Sequence, residues 1–435
     1  MIKKIIILIL SIFVANHIGF GQDTLKISSL QAVEMALSKR LDVQSSDLNI
    51  RISEKNLDRT KNQYLPEINF TGNLRYNTTL ATNVLPAGFG GNPNVSKVKF
   101  GTKNNTTLAF DFSQNIYKPT LKADLKIAQK NIDAEQINHN QNRLNIKYMV
   151  LNAYFNALLK QKTVVLAIDY AQKAKQIYAI STKRFELGAL LENERLKQQL
   201  DYQNADIKQK KAQQDLDLAL KNLKNEINID PKTNLILTDN LEQSTPIDPK
   251  TTLDVQQKNE LKKLKINTQI NQLRTQRAYA NLLPSVSLNA NYTAQFQAQN
   301  FDFSQDLWFP FNYVGLRVNV PLFNQFRNKS DANEYKIKAN QSQLDFAHQQ
   351  NKLQYQAEQA QTELANATLN LDYAAKNLEL ARTIFNTDAS QYTLGKINYT
   401  DLLNTSKAQN DAENNYLQAV FNHQIAWLNA QKSLE

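Results

Sequence analysis

One pattern is written twice in this chain. Tyr64-Leu65-Pro66-Glu67-Ile68 returns as Leu282-Leu283-Pro284-Ser285-Val286, a shift of 218 from Pro66 to Pro284. Phe185-Glu186-Leu187-Gly188 returns as Tyr392-Thr393-Leu394-Gly395, a shift of 207 from Gly188 to Gly395. Between these anchors, Phe110-Asp111-Phe112 to Asn115-Ile116-Tyr117 matches Leu316-Arg317-Val318 to Pro321-Leu322-Phe323 in pattern, a shift of 206 from Tyr117 to Phe323. Self-similarity at a near-fixed period marks a duplicated unit. The drop from 218 to 206 puts about twelve extra residues in the Pro/Gly-rich loop of the first copy. Asp230-Pro231 and Thr245-Pro246-Ile247-Asp248-Pro249 divide the copies, because proline disfavours helix at the residue before it. Residues 22–245 are therefore expected to form repeat 1 and residues 246–435 repeat 2.

Each copy opens on a helical pattern, Leu30 to Gln63 and about Thr252 to Leu282, that stops at its proline anchor. The period then changes to two. Ile68, Phe70, Leu74 and Tyr76 alternate with Asn69, Thr71, Asn73, Arg75 and Asn77. The alternation returns with Leu108, Phe110, Phe112 and Ile116, with Val286, Leu288, Ala290, Tyr292 and Phe296, and with Val314, Leu316, Val318 and Val320. Strands of about ten residues, greasy on one face and wet on the other, suit a tilted membrane strand. Arg75, Asp111 and Arg317 fall on the wet face, and Tyr76, Tyr117, Tyr292, Trp308, Phe309 and Phe323 fall near strand ends or in the connecting loop, where an interfacial girdle would place them. The hairpins are expected over about 67–117 and 285–323. Four strands cannot close a barrel alone, and an open edge in lipid leaves backbone groups unpaired. Eight strands from a dimer or twelve from a trimer would close one. The rival is a soluble antiparallel sheet with one face packed on helices.

Only ten Gly and ten Pro occur in 435 residues, and none falls between about Leu121 and Leu187. At about 1.5 Å per residue that helix reaches roughly 100 Å. Ile137, Leu144, Leu151, Leu158 and Val165 recur every seven residues, as do Leu364, Leu371, Leu378, Phe385 and Tyr392, which reads as two coiled-coil seams. Gly188 and Gly395 then mark reversals. Helical hairpins are expected over about 121–228 and 328–431, with return helices from about Leu190 and Asp401.

The first 21 residues read as an export signal: Lys3 and Lys4, an apolar run from Ile5 to Val14, and small residues before Gln22. No cysteine is present, which excludes disulfides, thiolate metal sites and cysteine nucleophiles. The net charge of +11 is spread among Gln, Asn and Glu on helical faces, and in an exported chain nucleic acid is not an expected partner. His139, His348 and His423 stand singly on helices, no phosphate-cradling glycine loop is visible, and neither a catalytic constellation nor a cofactor site is expected.

With the export signal, the two Leu-Pro helix-to-strand junctions and the two aromatic-x-Leu-Gly tips in hand, the chain resembles the TolC-like outer-membrane efflux proteins over essentially its whole mature length. The resemblance implies an α+β membrane protein: a trimer whose four strands per chain close a twelve-stranded β-barrel, continued by a long α-helical coiled-coil barrel in the periplasm. It implies a passive exit duct of a tripartite efflux or type I secretion system, with outer-membrane lipid around it. A periplasmic adaptor and an inner-membrane transporter, of RND, ABC or similar type, are the implied partners. It places a periplasmic constriction at Glu194, Asp401 and Asn404. Asn404 stands where an acidic residue is found in the best-known member, so the acidic ring is thinner here and the case for cation selectivity weaker. Both carboxylates equally suit the exposed first turn of a helix, favoured by the helix dipole. Adaptor contact is implied for Leu187, Gly188, Ala189 and Leu190 and for Leu394, Gly395, Lys396 and Ile397, and Arg75, Asp111 and Arg317 would face the lumen. A periplasmic coiled-coil scaffold or adaptor is the alternative function, but a scaffold has no evident need for four amphipathic strands.

Overall fold

The computed structural model describes residues 24–87, 94, 96–241, 255–304 and 306–435. The expected export signal and the boundary at Pro246 and Pro249 lie outside these residues. In chain order the elements are β1 (Thr24–Ile27), α1 (Ser29–Lys39), α2 (Leu41–Lys61), β2 (Glu67–Tyr76), β3 (Thr82–Leu85), β4 (Ser96–Lys99), β5 (Asn104–Tyr117), α3 (Leu121–Glu186) and α4 (Glu192–Glu226). There follow β6 (Asn234–Leu237), α5 (Asn259–Ala280), β7 (Ser285–Ala298), β8 (Trp308–Asn319), α6 (Gln325–Thr393) and α7 (Tyr399–Leu434). The chain is mostly helical with some sheet.

Two compact units divide the chain. The unit made of Asn49–Gln136 and Lys263–Phe346 holds an antiparallel sheet of order β2-β5-β7-β8, so β2 and β8 are its edges. The β5–β7 pairing sets Phe110 opposite Tyr292 and Phe112 opposite Ala290. β3 and β4 form a separate antiparallel pair inside the 77–103 connection, where the repeat offsets place the extra residues. β8 begins at Trp308, six residues before the alternation of Val314, Leu316 and Val318 becomes visible, because Phe309 and Phe311 put apolar side chains on the otherwise polar face.

The other unit, Met1–Leu48, Ile137–Lys262 and Ala347–Glu435, holds the helical hairpins and a parallel pair of β1 with β6. Its core gathers Ile27, Val33 and Ala36 with Ile146, Val150, Tyr154 and Leu158 of α3, Leu223 and Ile227 at the end of α4, and Leu428 of α7. Burying each large side chain contributes about 1.5–3 kcal/mol. The Tyr154 hydroxyl donates to Ile27 O at 2.9 Å and accepts from Asp239 N at 3.3 Å, so the deepest phenol is satisfied while it staples β1 to the chain after β6.

The single helix expected from Leu30 to Gln63 is broken at Arg40, whose ψ of 134° is extended. Its guanidinium donates to Asp42 Oδ2 at 2.8 Å and to Glu226 Oε2 at 2.6 Å, and Asn228 Nδ2 donates to Lys39 O at 2.9 Å. These bonds outweigh the continuous helical pattern. They also hold the Asp42 carboxyl below the ordinary range, mainly through hydrogen bonds from Arg40.

The seam in α3 departs from its expected register at the far end. Val165 is 59% exposed while the next residue, Leu166, packs against the core. A helix of 3.6 residues per turn drifts by about 20° per heptad from a strict seven-residue repeat, so by the fifth position the stripe has rotated away.

Candidate functional site

Two regions carry the residues singled out from sequence: the polar face of the four-stranded sheet and the ends of the helical hairpins. In the sheet, the register places Asn69, Asp111, Asn291 and Tyr313 on one rung, and Thr71, Ala109, Thr293 and Phe311 on the next but one. Side chains alternate between faces, so Arg75, Asp111 and Arg317 share one face with these residues. Asn291 Nδ2 donates to Asp111 Oδ1 at 2.8 Å and Gln295 Nε2 to Asn105 Oδ1 at 2.9 Å, a polar lattice that keeps the face wet. The opposite face carries Ile68, Phe70, Leu74, Phe110, Val314, Leu316 and Val318, each at least half exposed. Sequence reasoning missed that Phe309, Phe311 and Tyr313 belong to the polar face, although their odd numbers share the parity of Arg317.

On the apolar face at one end, the connection after β7 folds back. Tyr76 stacks on Phe301 at 5.4 Å between centroids, and Phe296, fully buried, meets Phe303 at 4.9 Å and Trp308 at 5.2 Å. Of the aromatics expected at an interfacial girdle, Tyr76 and Trp308 join this cluster, while Tyr117, Tyr292, Phe309 and Phe323 stand exposed outside it.

The hairpin tips are two copies of one turn. Gly188 and Gly395 both have φ of 71°, a conformation that side chains with a Cβ rarely adopt. Gly188 N donates to Phe185 O and Ala189 N to Arg184 O; Gly395 N donates to Tyr392 O and Lys396 N to Gln391 O. This paired bonding is the Schellman end of a helix. It leaves Leu187 and Leu394 exposed at 82% and 68%, with Ala189 and Lys396 exposed beside them and Leu190 and Ile397 half-buried.

The two return helices start differently. Asn398 caps α7 by accepting from Asp401 N at 2.9 Å, whereas Leu191 offers α4 no side-chain cap and Glu192 and Glu194 supply negative charge to the first turn. Asp401 and Asn404 lie three apart on the same exposed face of α7; Glu194 is exposed on α4. Among the described residues no hydrogen bond or ion pair joins Glu194 to Asp401.

What does join the hairpins was not legible beforehand. Arg184 Nη1 donates to the Tyr392 hydroxyl at 3.0 Å with its guanidinium over the ring, and Lys407 pairs with Asp201 at 3.5 Å. Burial, followed by the charge of Asp201, pushes the Tyr170 and Tyr399 phenols up. The available signal was that Asp201 and Lys407, 206 apart, put opposite charges at nearly equivalent places in the two patterns.

Among the described residues no group of side chains could hold a metal ion, and no helix is long and apolar enough to cross a membrane. A β-barrel needs no such helix.

The family description "Outer membrane efflux protein" matches residues 32–228 and 255–434. No curated protein sequence matches. Among solved structures, the Campylobacter jejuni CmeC outer membrane channel is similar at a TM-score of 0.71 and 15% identity, over 93% of this chain and 85% of that one. The Vibrio cholerae outer membrane protein VceC is similar at 0.72 and 12%, over 93% and 95%. The open state of the Neisseria gonorrhoeae MtrE outer membrane channel is similar at 0.72 and 15%, over 93% and 88%.

Proposed function

The chain belongs to the outer membrane efflux protein family, and from that premise we propose that it is the exit duct of a tripartite efflux or type I secretion system, a passive conduit from periplasm to exterior. The protein is an outer-membrane channel and not an enzyme. The observation that carries the duct reading is the four-stranded sheet: amphipathic, with two free edges, and in one chain with helices of 66 and 69 residues. On this reading three chains close twelve strands into a barrel, pairing the β8 edge of one copy with the β2 edge of the next, since an open edge cannot persist in lipid. The two halves of the chain, divided near residue 245, are tandem repeats, and an export signal over residues 1–21 sends the chain out.

Arg75, Asp111 and Arg317 then face the lumen, and Glu194, Asp401 and Asn404 line the constriction at the periplasmic entrance. The exposed tips, from Leu187 to Leu190 and from Leu394 to Ile397, meet a periplasmic adaptor, with an inner-membrane transporter supplying the energy. Opening separates the hairpins at the Arg184–Tyr392 and Asp201–Lys407 links. Conductance of the purified protein in planar bilayers tests the reading: Glu194→Ala with Asp401→Ala should change conductance or cation block. Unchanged conductance removes both from the constriction, and a protein found only as a soluble periplasmic species removes the channel.

A further inference from the structure

In the sheet-bearing unit a cavity of about 300 Å³ sits where strands give way to helices. The first turn of α3 supplies Asp124, the last turns of α5 supply Arg274 and Arg277, and the first two turns of α6 supply Asn328 and Asp331. The lining therefore offers both signs of charge in a space at the small end of organic ligand sites, roughly 300–1,000 Å³. Arg277 is held by Asp124, and Arg274 lies over the Tyr335 ring at 5.9 Å. Asn328 is only 2% exposed, and its amide is half used: Oδ1 accepts from Asn281 Nδ2 at 3.2 Å, while Nδ2 has no partner among the described residues. Buried donors are almost always satisfied, so this one stands open to an acceptor from outside the chain.

An unpaired amide donor beside two guanidinium groups calls for an anion rich in acceptor oxygens, and guanidinium forks suit phosphate. Asp331 calls for a cation. One small molecule that carries both is a phosphate joined by a short linker to an ammonium. The position narrows the source: the cavity lies within about two turns of the ends of β5, β7 and β8, where membrane strands would leave the hydrocarbon and meet headgroups. We propose that this cavity binds the phosphoethanolamine headgroup of a phospholipid, with Arg274, Arg277 and Asn328 Nδ2 on the phosphate and Asp331 on the ammonium. A choline headgroup is disfavoured because its quaternary nitrogen has no N–H to donate. The proposal rests on the reading that the sheet spans the membrane.

The test uses the full protein, purified and stripped of lipid, then exchanged into nanodiscs of phosphatidylethanolamine, phosphatidylcholine or phosphatidylglycerol, with retained lipid counted by native mass spectrometry. Phosphatidylethanolamine should be retained about tenfold over the other two. Asn328→Leu and Arg274→Gln should each cut that retention about tenfold, while Asp331→Asn should keep phospholipid binding and lose the preference for ethanolamine over glycerol. Equal retention of the three lipids, or folded Arg274→Gln and Asp331→Asn variants that behave as the parent, overturns the proposal. Glycerophosphoethanolamine that raises the melting temperature as far as the lipid does would make a free headgroup compound the ligand and overturn the lipid assignment. Flotation with vesicles of any composition separates the two readings: failure to float breaks the membrane assignment, and flotation without the ethanolamine preference breaks only this one.

Discussion

α3 and α6 hold corresponding places in the element order and have nearly the same length, yet the chain covers them differently. From Ile146 to Leu159, α3 is buried on almost every side, with Tyr154 and Ala157 at 0% exposed. The hydrophobic residues buried on α6 are Ala332, Ala339, Ala357, Ala360 and Leu378, all but one of them alanine. Many of its large side chains point outward: Ile337, Tyr355 and Tyr373 stand eighteen residues apart and are 67%, 67% and 64% exposed, with Leu344 at 73% and Leu380 at 60%. Eighteen residues are five full turns, so the stripe runs straight along one side of the helix. The seam expected on α6 lies apart from this stripe, since Leu378 is buried and Leu364, Leu371 and Phe385 are half-buried. Apolar side chains of α3 build the core of one chain, whereas those of the α6 stripe stay exposed; in the proposed trimer a neighbouring copy would cover them.

The largest effect that could break this contrast is on association: Tyr373→Lys with Leu380→Lys should abolish oligomers in size-exclusion chromatography while circular dichroism stays unchanged. Next, Leu158→Ala in α3 should cost about 2–5 kcal/mol in denaturant unfolding, whereas Leu344→Ala in dissociated chains should stay within about 0.5 kcal/mol. Similar losses from both would erase the distinction. Gly188→Ala and Gly395→Ala should each cost about 1 kcal/mol, because the added Cβ meets open space and only the positive φ is strained. The Lys407–Asp201 pair, with side chains 49% and 19% exposed, should contribute at most about 1 kcal/mol; Lys407→Ala should raise the frequency of channel opening, and high salt should erase the difference from the parent.

The smallest effect concerns pH. Burial holds His423 on α7 below its ordinary value, so the unfolded chain binds that proton more readily. Stability from this group is full above about 6.5 and is lost as pH falls through the lower folded value. His423→Gln should flatten the melting-temperature profile on the acid side.

Local periodicity explains what could be read in advance. The strands carry a period of two, the long helices lack breakers, and the tips have glycine where positive φ is needed. Contacts made by short segments far apart in the chain left no such trace. β1 pairs with β6 across 210 residues through four-residue strands, too short for alternation to speak. Arg40 stops a helix because Glu226 is near it in space, and a local pattern holds no record of that. At the hairpin ends the glycines and first-turn carboxylates were recoverable from motif alone. The Arg184–Tyr392 and Lys407–Asp201 links depend on how two hairpins lie side by side.

The free edges of β2 and β8 have a consequence for how the protein matures. A closed single-chain barrel can enter a bilayer alone, but a four-stranded sheet with ladders open on both sides has no resting state in hydrocarbon. In the proposed barrel, insertion and association are one thermodynamic event, steeply dependent on local chain concentration, and the lone chain would be a species of the aqueous compartment that must be kept from pairing its edges with the wrong neighbour.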